Sequence, residues 1–511
     1  MSANTLPEAL AAQSHRTDGG VTFGSSAQRE RLTYAEFTEQ IALAAAGFAD
    51  QGVRPGDRVM LRIGSSREGL LVLLGLMHLG AVPVSVKPRV PGVAIDHYFA
   101  EVVRQQQVRH AFEIAGHGLR DLRLVTGAGT APPPAAASRE DVAFIQYTSG
   151  STGMPRPIPL SHRAVLGNVA AIGAVSQMAP GHGGLIALPL HHDMGLIGVL
   201  TSLIHGIDLV IVEPGQFLRR PLAALELIRD AERAHSAFPD FMLRYVARRI
   251  TEATRRTGPD PRLFAAWSTV FCGAEPIREA SVRSFLDAAA PWGFDPTALV
   301  FCYGLAEAAL LATSHRYVDP ATSFHAEGPA MTARLGTPVP GLGLRVVDEG
   351  GSVCPEGLTG SVQLRGDTLF DGYDGATDHR VTWFDTGDLG CLREGELYLN
   401  GRRGDRVFVG GVNVFVADVE QVVAAEPGVA ECVTLPHGAS FAVFVVPERG
   451  TRPDVQRIAA RVATDFAAAP ETVMEVSHSA IARTASGKPA RGHMAAQLER
   501  GILPRPTKTS L

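Results

Sequence analysis

Short apolar segments alternate with longer segments of helical period in the first part of the chain, and this alternation restricts the fold more than any other feature. Residues 33–51 carry apolar side chains at helical spacing, whereas residues 57–63 and 81–86 are apolar runs with the length of buried strands. Strands that alternate with helices build α/β folds around a largely parallel sheet. From residue 335 onward, glycine-punctuated β segments predict a small β-barrel-like subdomain.

The chain should fold as more than one domain, because 511 residues are too many for one compact core. We predict a large N-terminal domain over residues 1–400, built from parallel α/β subdomains and the barrel-like subdomain. A polar, glycine-bounded hinge at 401–405 leads to a small, mobile α+β C-terminal domain at 406–500, which acts as a lid. Residues 501–511 contain two prolines and few apolar side chains, which predicts a flexible tail.

Composition and charge exclude several classes of partner. The net charge of −5 offers no basic field for nucleic acid and no polybasic segment for an anionic membrane. Glycine and proline interrupt the most apolar window, residues 69–86, which predicts a buried helix and strand rather than a membrane span. Residues 1–16 lack the basic flank and apolar run of a secretory signal, so we expect a cytoplasmic protein. The five cysteines lack metal-ligand spacing and predict neither a zinc site nor disulfides.

A loop rich in hydroxyl groups and glycine follows the strand predicted at 142–147. Glycines let backbone N–H groups approach an anion, hydroxyl groups donate hydrogen bonds, and a cation at the end of the loop neutralises charge. No Gly-Lys-Ser/Thr sequence follows, so this is not a Walker A loop. Such a segment on its own can also be an ordinary turn. The residues that we predict to bind nucleotide phosphates are Thr148, Ser149, Gly150, Ser151, Thr152, Gly153 and Arg156.

The string YTSGSTGMPR at 147–156 resembles the phosphate loop YTSGSTGxPKG of the adenylate-forming superfamily. That superfamily comprises acyl- and aryl-CoA synthetases, luciferases, peptide-synthetase adenylation domains and fatty acyl-AMP ligases. Four further segments resemble its motifs in the same order, and these are YGLAE at 303–307, TGD at 386–388, GRRGD at 401–405 and SGK at 486–488. The resemblance covers about residues 20 to 495. It implies an enzyme that uses ATP and Mg²⁺ to convert a carboxylic acid into an acyl-AMP.

The same resemblance implies a role for individual residues. Tyr303 is expected to stack on adenine, Glu307 to hold Mg²⁺, Asp388 to bind the ribose hydroxyls, and Gly404 to lie in the hinge. Lys488 is expected to meet the carboxylate and the α-phosphate, and with Glu307 and Arg402 it completes the predicted catalytic set. The remaining predicted nucleotide contacts are Gly273, Ala274, Glu275 and Gly304.

Elementary electrostatics supports these assignments. Attack of a carboxylate on a phosphate brings two anions together, so the site needs metal and fixed cations, for which Arg156, Arg402 and Lys488 are the candidates. Of 47 basic residues only three are lysines, so a lysine at position 488 is improbable by composition alone. Its compact charge on a flexible stem suits a closing site. A solvated lysine is the alternative interpretation, and it also fits Lys87 and Lys508.

Within the superfamily, three segments resemble fatty acyl-AMP ligases. PLHHDMGLIG at 189–198 resembles their PLYHDMGLIG, YGLAEAAL at 303–310 resembles YGLAEATL, and CGAEP at 272–276 resembles NGAEP. Those enzymes load acyl groups onto the phosphopantetheine thiol of an acyl-carrier protein rather than onto CoA. His191 and His192 could in principle bind a metal ion, but two adjacent histidines cannot both face one ion from a regular element. We therefore assign His192 to the wall of the acyl pocket. Gly273 and Gly304 are also predicted to contact the acid.

Departures from the pattern affect the choice of substrate. The segment 311–335 is short for a fatty acyl-AMP ligase, which leaves CoA open as the acceptor. At residues 236–241 the chain reads SAFPDF where those ligases typically read SGGPNF, so Phe238 replaces a glycine and Asp240 an asparagine. Phe238 should fill pocket volume. Asp240 should either pair with a cationic or hydroxyl group on the acid, or be a solvent-facing or helix N-cap carboxylate. We therefore predict a short, aromatic or amino-bearing acid in specialised biosynthesis. Arg156 and Pro157 alter the phosphate loop, and a weakly catalytic nucleotide-binding scaffold is the third alternative.

Overall fold

A computed structural model describes most of the chain. The described residues are 3–25, 28–88, 90–91, 93–114, 116–125, 132–147, 155–327, 330–373, 377–409, 412–438, 440–483 and 489–501. Within them, two large sheets flanked by helices are followed by a smaller antiparallel sheet and by a compact α+β unit. The predicted α/β fold class is confirmed.

The first sheet is six-stranded and lies in the order β6-β5-β3-β4-β7-β8, with all neighbours parallel except β7 and β8. A capping box in which Thr33 and Glu36 bind each other's backbone N–H starts its longest helix. The elements up to this point are α1 (Leu6–Ala11), β1 (Gly20–Ser25), β2 (Gln28–Thr33), α2 (Tyr34–Asp50), β3 (Arg58–Leu61), α3 (Arg67–Leu79), β4 (Val82–Ser85), α4 (Ile95–Gln106), β5 (His110–Phe112), β6 (Arg120–Asp121), β7 (Val142–Tyr147) and β8 (Pro157–Ser161).

The second sheet has nine strands in the order β17-β14-β13-β12-β11-β9-β10-β1-β2, and its inner strands are parallel. Strands β15 and β16 pair only with each other, as a separate antiparallel sheet. The elements in this part of the chain are α5 (His162–Ser176), β9 (Gly183–Ile186), α6 (Asp193–His205), β10 (Asp208–Ile211), α7 (Pro214–Arg219), α8 (Pro221–Leu225), β11 (Ala234–Ala237), α9 (Asp240–Thr257), β12 (Trp267–Cys272), α10 (Glu279–Ala289), β13 (Leu299–Gly304), β14 (Leu311–Arg316), α11 (Pro320–Ser323), β15 (Phe324–Glu327), β16 (Ala330–Ala333) and β17 (Thr337–Pro338).

Four antiparallel strands then form the smaller sheet, and the α+β unit follows with hydrophobic cores of its own. These elements are β18 (Leu342–Val347), β19 (Gly360–Gly366), β20 (Phe384–Arg393), β21 (Glu396–Arg402), β22 (Arg406–Val409), β23 (Val412–Phe415), α12 (Val416–Ala424), β24 (Val429–His437), β25 (Ser440–Pro447), α13 (Val455–Phe466), β26 (Thr472–Glu475) and α14 (Arg491–Glu499).

Helix α12 joins this C-terminal unit to the larger part of the molecule. The amide side chain of Gln421 bonds both the N–H and the carbonyl of Met331, at 3.0 Å each. Beside it, the carboxylate of Glu420 accepts hydrogen bonds from Arg491 and lies 3.9 Å from the guanidinium of Arg278. A cleft remains open between the two parts around these contacts.

The parallel strands set the position of this cleft. In open α/β sheets, ligands bind outside the carboxyl ends of the strands. Here β7, β12 and β13 all end at the cleft, and segments with predicted functional residues follow each of them. Among the helices of the described ranges, none is both long enough and apolar enough to span a bilayer.

Candidate active site

Residues from three separate sequence motifs meet at the end of β13. The hydroxyl of Tyr303 donates to the Oδ2 of Asp388 at 2.6 Å, and the Nε of Arg402 donates to the Oδ1 of the same carboxylate at 3.1 Å. Asp388 on β20 and Arg402 on β21 are register partners, so the antiparallel pairing brings them together. Burial, and then the neighbouring Asp388, raises the pKa of Tyr303 well above its ordinary value, so the phenol remains a donor.

Glu307 lies in the short turn Ala306–Ala308 that follows β13. Its Oε1 accepts a hydrogen bond of 2.7 Å from the hydroxyl of Tyr373, and the guanidinium of Arg156 stands 5.6 Å from the centre of the Tyr373 ring. Burial raises the pKa of Glu307 above its ordinary value, although the Tyr373 bond opposes that shift. Tyr373 was missed in the sequence, where the preceding Gly372 offered the only signal.

Two predicted glycines allow backbone segments to approach closely. A Cβ atom at Gly273 would lie 2.6 Å from the carbonyl oxygen of Cys302, and one at Gly304 would lie 2.0 Å from that of Leu310. Neither position can therefore carry a side chain without movement of the main chain. Next to Gly273, Ala274 has a φ of 66°, in the region that favours glycine. The turn after β12 is thus tightly constrained.

Glu275 also lines the cleft, and its carboxylate has a structural partner. The Oε1 atom accepts a hydrogen bond of 2.7 Å from the backbone N–H of Phe241, in the first turn of α9. Because an acidic group stabilises the first turn of a helix, this contact fixes α9 against the turn after β12. Glu275 is predicted to contact the nucleotide, and in this structure it also positions the cleft wall.

Buried polar side chains line the cleft near the start of α6. His192 lies immediately before the helix, with its Nδ1 2.5 Å from the Oδ1 of Asp193. Burial, and then the nearby His192 and Lys87, lowers the pKa of His191 to about 4, so its ring is neutral at physiological pH. Lys87 is only 7% exposed, so it is no solvated lysine, and Gln146 is a second buried polar residue of the cleft wall. Sequence composition gave no signal for Gln146.

The structure places the two residues expected to shape the acyl pocket away from the cleft. Phe238 is 0% exposed and packs against Phe217 and Trp267 in the core. Asp240 is buried at the start of α9, where it accepts hydrogen bonds from the N–H of Arg278 at 3.0 Å and from the hydroxyl of Ser281 at 2.9 Å. The prediction that these side chains contact the acid is therefore wrong. Asp240 is also neither solvent-facing nor an N-cap, because it is 1% exposed and the N-cap of α9 is Pro239.

Comparison with known proteins decides the family. The family model described as AMP-binding enzyme matches residues 8–374. The chain belongs to the AMP-binding enzyme family. Rv1013 of Mycobacterium tuberculosis is 30% identical over 92% of this chain and 95% of its own length. The long-chain-fatty-acid–AMP ligase FadD32 of Mycolicibacterium smegmatis is 28% identical, over 76% of this chain and 71% of its own.

A solved structure supports the same assignment. It comes from a study of fatty acyl-adenylate ligases from E. coli and L. pneumophila, superposes with a TM-score of 0.84 at 25% identity, and covers 98% of this chain and 99% of its own. As an AMP-binding enzyme, this chain uses ATP and is an adenylate-forming ligase. The acid and the acceptor require separate arguments.

Two predicted elements of this AMP-binding enzyme lie outside the described residues. They are the phosphate loop with Thr148, Ser149, Gly150, Ser151, Thr152 and Gly153, and the C-terminal Lys488. Their contacts remain predictions. The flanking residues Arg156, Arg483 and Pro489 all line the cleft.

The predicted hinge falls at the edge of the small sheet. Gly404 lies in the single turn Arg403–Asp405 between β21 and β22. A Cβ atom there would meet nothing within 4 Å, so space alone does not require a glycine. Rotation at this point remains a prediction.

Proposed function

We propose that this chain joins ATP and an acid with an alkyl chain into an acyl-AMP, and then loads the acyl group onto the phosphopantetheine thiol of an acyl-carrier protein. The observation that carries the proposal is the convergence of Tyr303, Asp388, Arg402 and Glu307 at the end of β13. The wall of the same cleft also includes apolar residues of β9, α5 and α6. Adenine would stack on Tyr303, and the ribose hydroxyls would bind Asp388.

Glu307 is a fitting ligand for Mg²⁺. In the described parts of the chain, no three His, Cys, Asp or Glu side chains gather into a metal-binding group. Mg²⁺ is commonly held by one or two carboxylates, with substrate phosphates and water completing its shell. When bound, Mg²⁺ supplies positive charge that offsets the repulsion between carboxylate and phosphate. Glu307 provides one carboxylate at the place where the nucleotide phosphates would lie.

Fixed cations complete the proposed reaction site. Arg156 and Lys488 would stabilise the negative charge that develops on the α-phosphate as the carboxylate oxygen attacks and pyrophosphate leaves. Arg402 holds the ribose-binding Asp388 in place through its hydrogen bond. The segment 401–405 would allow the C-terminal unit to change its position between adenylation and transfer to the thiol.

Phe238 and Asp240 do not determine which acid the cleft accepts. Both side chains are occupied in the protein interior, which removes the reason for a short, aromatic or amino-bearing acid. The similarity to fatty acyl-AMP ligases favours an acid with an alkyl chain, in specialised biosynthesis. CoA is the alternative acceptor, because the described residues of the segment 311–335 form only β14, α11 and the antiparallel strands β15 and β16.

The acceptor is tested by mass spectrometry. Purified enzyme with ATP, Mg²⁺ and an acid would be offered holo carrier protein in one reaction and CoA in another. We expect the mass of the carrier to rise by one acyl group, with little acyl-CoA formed. Acyl-CoA formation without any loading of the carrier would contradict the proposed acceptor, while leaving acyl-AMP formation intact.

Replacing Tyr373 by phenylalanine tests the proposed metal ligand. Because the Tyr373 hydroxyl opposes the upward shift of the Glu307 pKa, its loss raises that pKa further and leaves less carboxylate available for Mg²⁺. We expect the Mg²⁺ concentration for half-maximal pyrophosphate release to rise about three- to tenfold, since one hydrogen bond is lost. The acidic limb of the pH profile should move to higher pH. Tyr317→Phe is the control, because Tyr317 lies beside Leu299 at the amino end of β13, whereas Glu307 follows its carboxyl end. An unchanged Mg²⁺ requirement in Tyr373→Phe would contradict the assignment.

A further inference from the structure

The cavity of the cleft extends between the nine-stranded sheet and helices α5 and α6, and we call this apolar part the tunnel. Ile172 on α5, Gly198 on α6, Ile186 on β9 and Phe271 on β12 line it. A Cβ atom at Gly198 would come within 3.0 Å of the Cδ1 of Ile186, so the glycine keeps this space free of a side chain. The walls suit an alkyl chain.

Strand register identifies the side of β11 that faces this tunnel. His235 pairs with Gly184 on β9, and side chains alternate along a strand, so His235 and Ile186 lie on the same face of the sheet. Ile186 contacts the position of Gly198 on α6. The ring of His235 therefore lies on the face that α6 covers, and it lines the same cavity.

The inner end of the tunnel is polar. Thr201 on α6 is 0% exposed and His235 is 1% exposed, and both line the cavity. In the described structure, neither the Oγ1 of Thr201 nor the Nδ1 of His235 has a hydrogen-bond partner. The other ring nitrogen of His235, Nε2, lies 3.0 Å from the Nδ1 of His182. Buried polar atoms in native proteins almost always have partners, so two such atoms without partners in the wall of one cavity indicate a ligand group.

We propose that this tunnel selects a medium-chain acid with a hydroxyl group at the end remote from its carboxylate, held by Thr201 and His235. The inference rests on the proposed acyl-AMP ligase function and names the acid. Thr201 lies seven positions after Met194, which is at the cleft, and seven positions of a helix rise roughly 10 Å. An extended chain advances roughly 1.2 Å per bond, so about eight carbons span that distance.

The chemistry of the two residues favours a hydroxyl over an ionised group. His182 and His235 share one proton between their facing nitrogens, so the Nδ1 of His235 is either a hydrogen-bond donor or an acceptor. A hydroxyl group can form a hydrogen bond with it in both cases, because a hydroxyl both donates and accepts. Burial, and then the neighbouring His182, lowers the pKa of His235 to about 3, so the ring is uncharged at physiological pH. The nearby cation Arg316 donates its hydrogens to the carbonyls of Ser268 and Thr297. A second carboxylate would find no ionised partner in His235 or Thr201.

Matched acids and matched variants test the proposal. We would compare pyrophosphate release with octanoic, 8-hydroxyoctanoic and octanedioic acids, and with the corresponding ten-carbon set. The wild type should prefer the hydroxy acid by about tenfold or more in kcat/KM, because the alkyl analogue leaves both polar atoms unpaired. Thr201→Val keeps the shape of the side chain and should lower that preference roughly tenfold. Ser202→Ala is the control, because the Ser202 hydroxyl already donates to the carbonyl of Gly198 at 2.8 Å.

The outcomes separate this inference from the proposed function. Robust pyrophosphate release without preference for the hydroxy acid, a preference for the dicarboxylic acid, or an unchanged preference in Thr201→Val would each overturn the inference and leave acyl-AMP formation standing. No acid-dependent pyrophosphate release with any acid would instead overturn the proposed function, and the inference with it.

Discussion

Glu307→Gln is expected to lower acid-dependent pyrophosphate release by about a hundredfold or more, because the substitution removes a carboxylate ligand of the metal that offsets charge in the transition state. The same substitution should raise the thermal stability of the ligand-free protein at neutral pH. Enzyme activity and thermal unfolding without nucleotide measure the two effects. A variant that keeps Mg²⁺-dependent activity close to the wild type would contradict the role of Glu307.

The stability gain follows from the pKa of this carboxyl group. Burial raises the pKa of Glu307 in the folded protein above its ordinary value, so the folded state binds this proton more tightly than the unfolded state does. The stabilisation that it provides exists below the ordinary pKa and is lost as the pH rises through the folded value. Glutamine does not titrate, so the advantage of the variant should grow from acidic to neutral pH. Glu39→Gln, at an exposed position of α2, is the matched control.

Lys488→Ala is expected to reduce formation of the acyl-AMP by roughly a hundredfold or more, since a cation at the attacking carboxylate and the α-phosphate would be lost. Transfer of the acyl group from supplied acyl-AMP to the thiol should be spared, because that step forms no bond to the α-phosphate. The two half-reactions are measured separately, by pyrophosphate release and by loading of the carrier. Lys508→Ala, in the tail, is the control. An equal loss in both half-reactions would show that Lys488 has a different role.

Local sequence patterns predicted the elements of this fold well. The strand at 142–147 is present with the same limits, and the helical segment 33–51 contains α2, because hydrophobic periodicity and the capping residues are local properties. The short motifs also predicted which side chains would converge. Tyr303, Asp388 and Arg402 are far apart in the chain, and they meet because β13 ends beside the antiparallel pair β20 and β21.

Side-chain direction and buried partners could not be read from the sequence. Phe238 follows β11 directly, and one residue decides whether such a side chain enters the cleft or the core, where it packs on Trp267. Tyr373 acquires its role only because the segment after β19 passes beside Glu307. Lys87 follows β4 and is buried in the cleft wall, and composition alone carries no information on that position.

Formation of an acyl-AMP is tested most directly by incubating the enzyme with ATP, Mg²⁺ and 8-hydroxyoctanoic or octanoic acid, without any thiol acceptor. Pyrophosphate would be quantified and the bound product identified by mass spectrometry. We predict pyrophosphate that depends on the acid, together with a species of the mass of the acyl-AMP in comparable amount. Binding of ATP without acid-dependent pyrophosphate, across a panel of acids of different length and polarity, would contradict the account and indicate a nucleotide-binding protein without ligase activity.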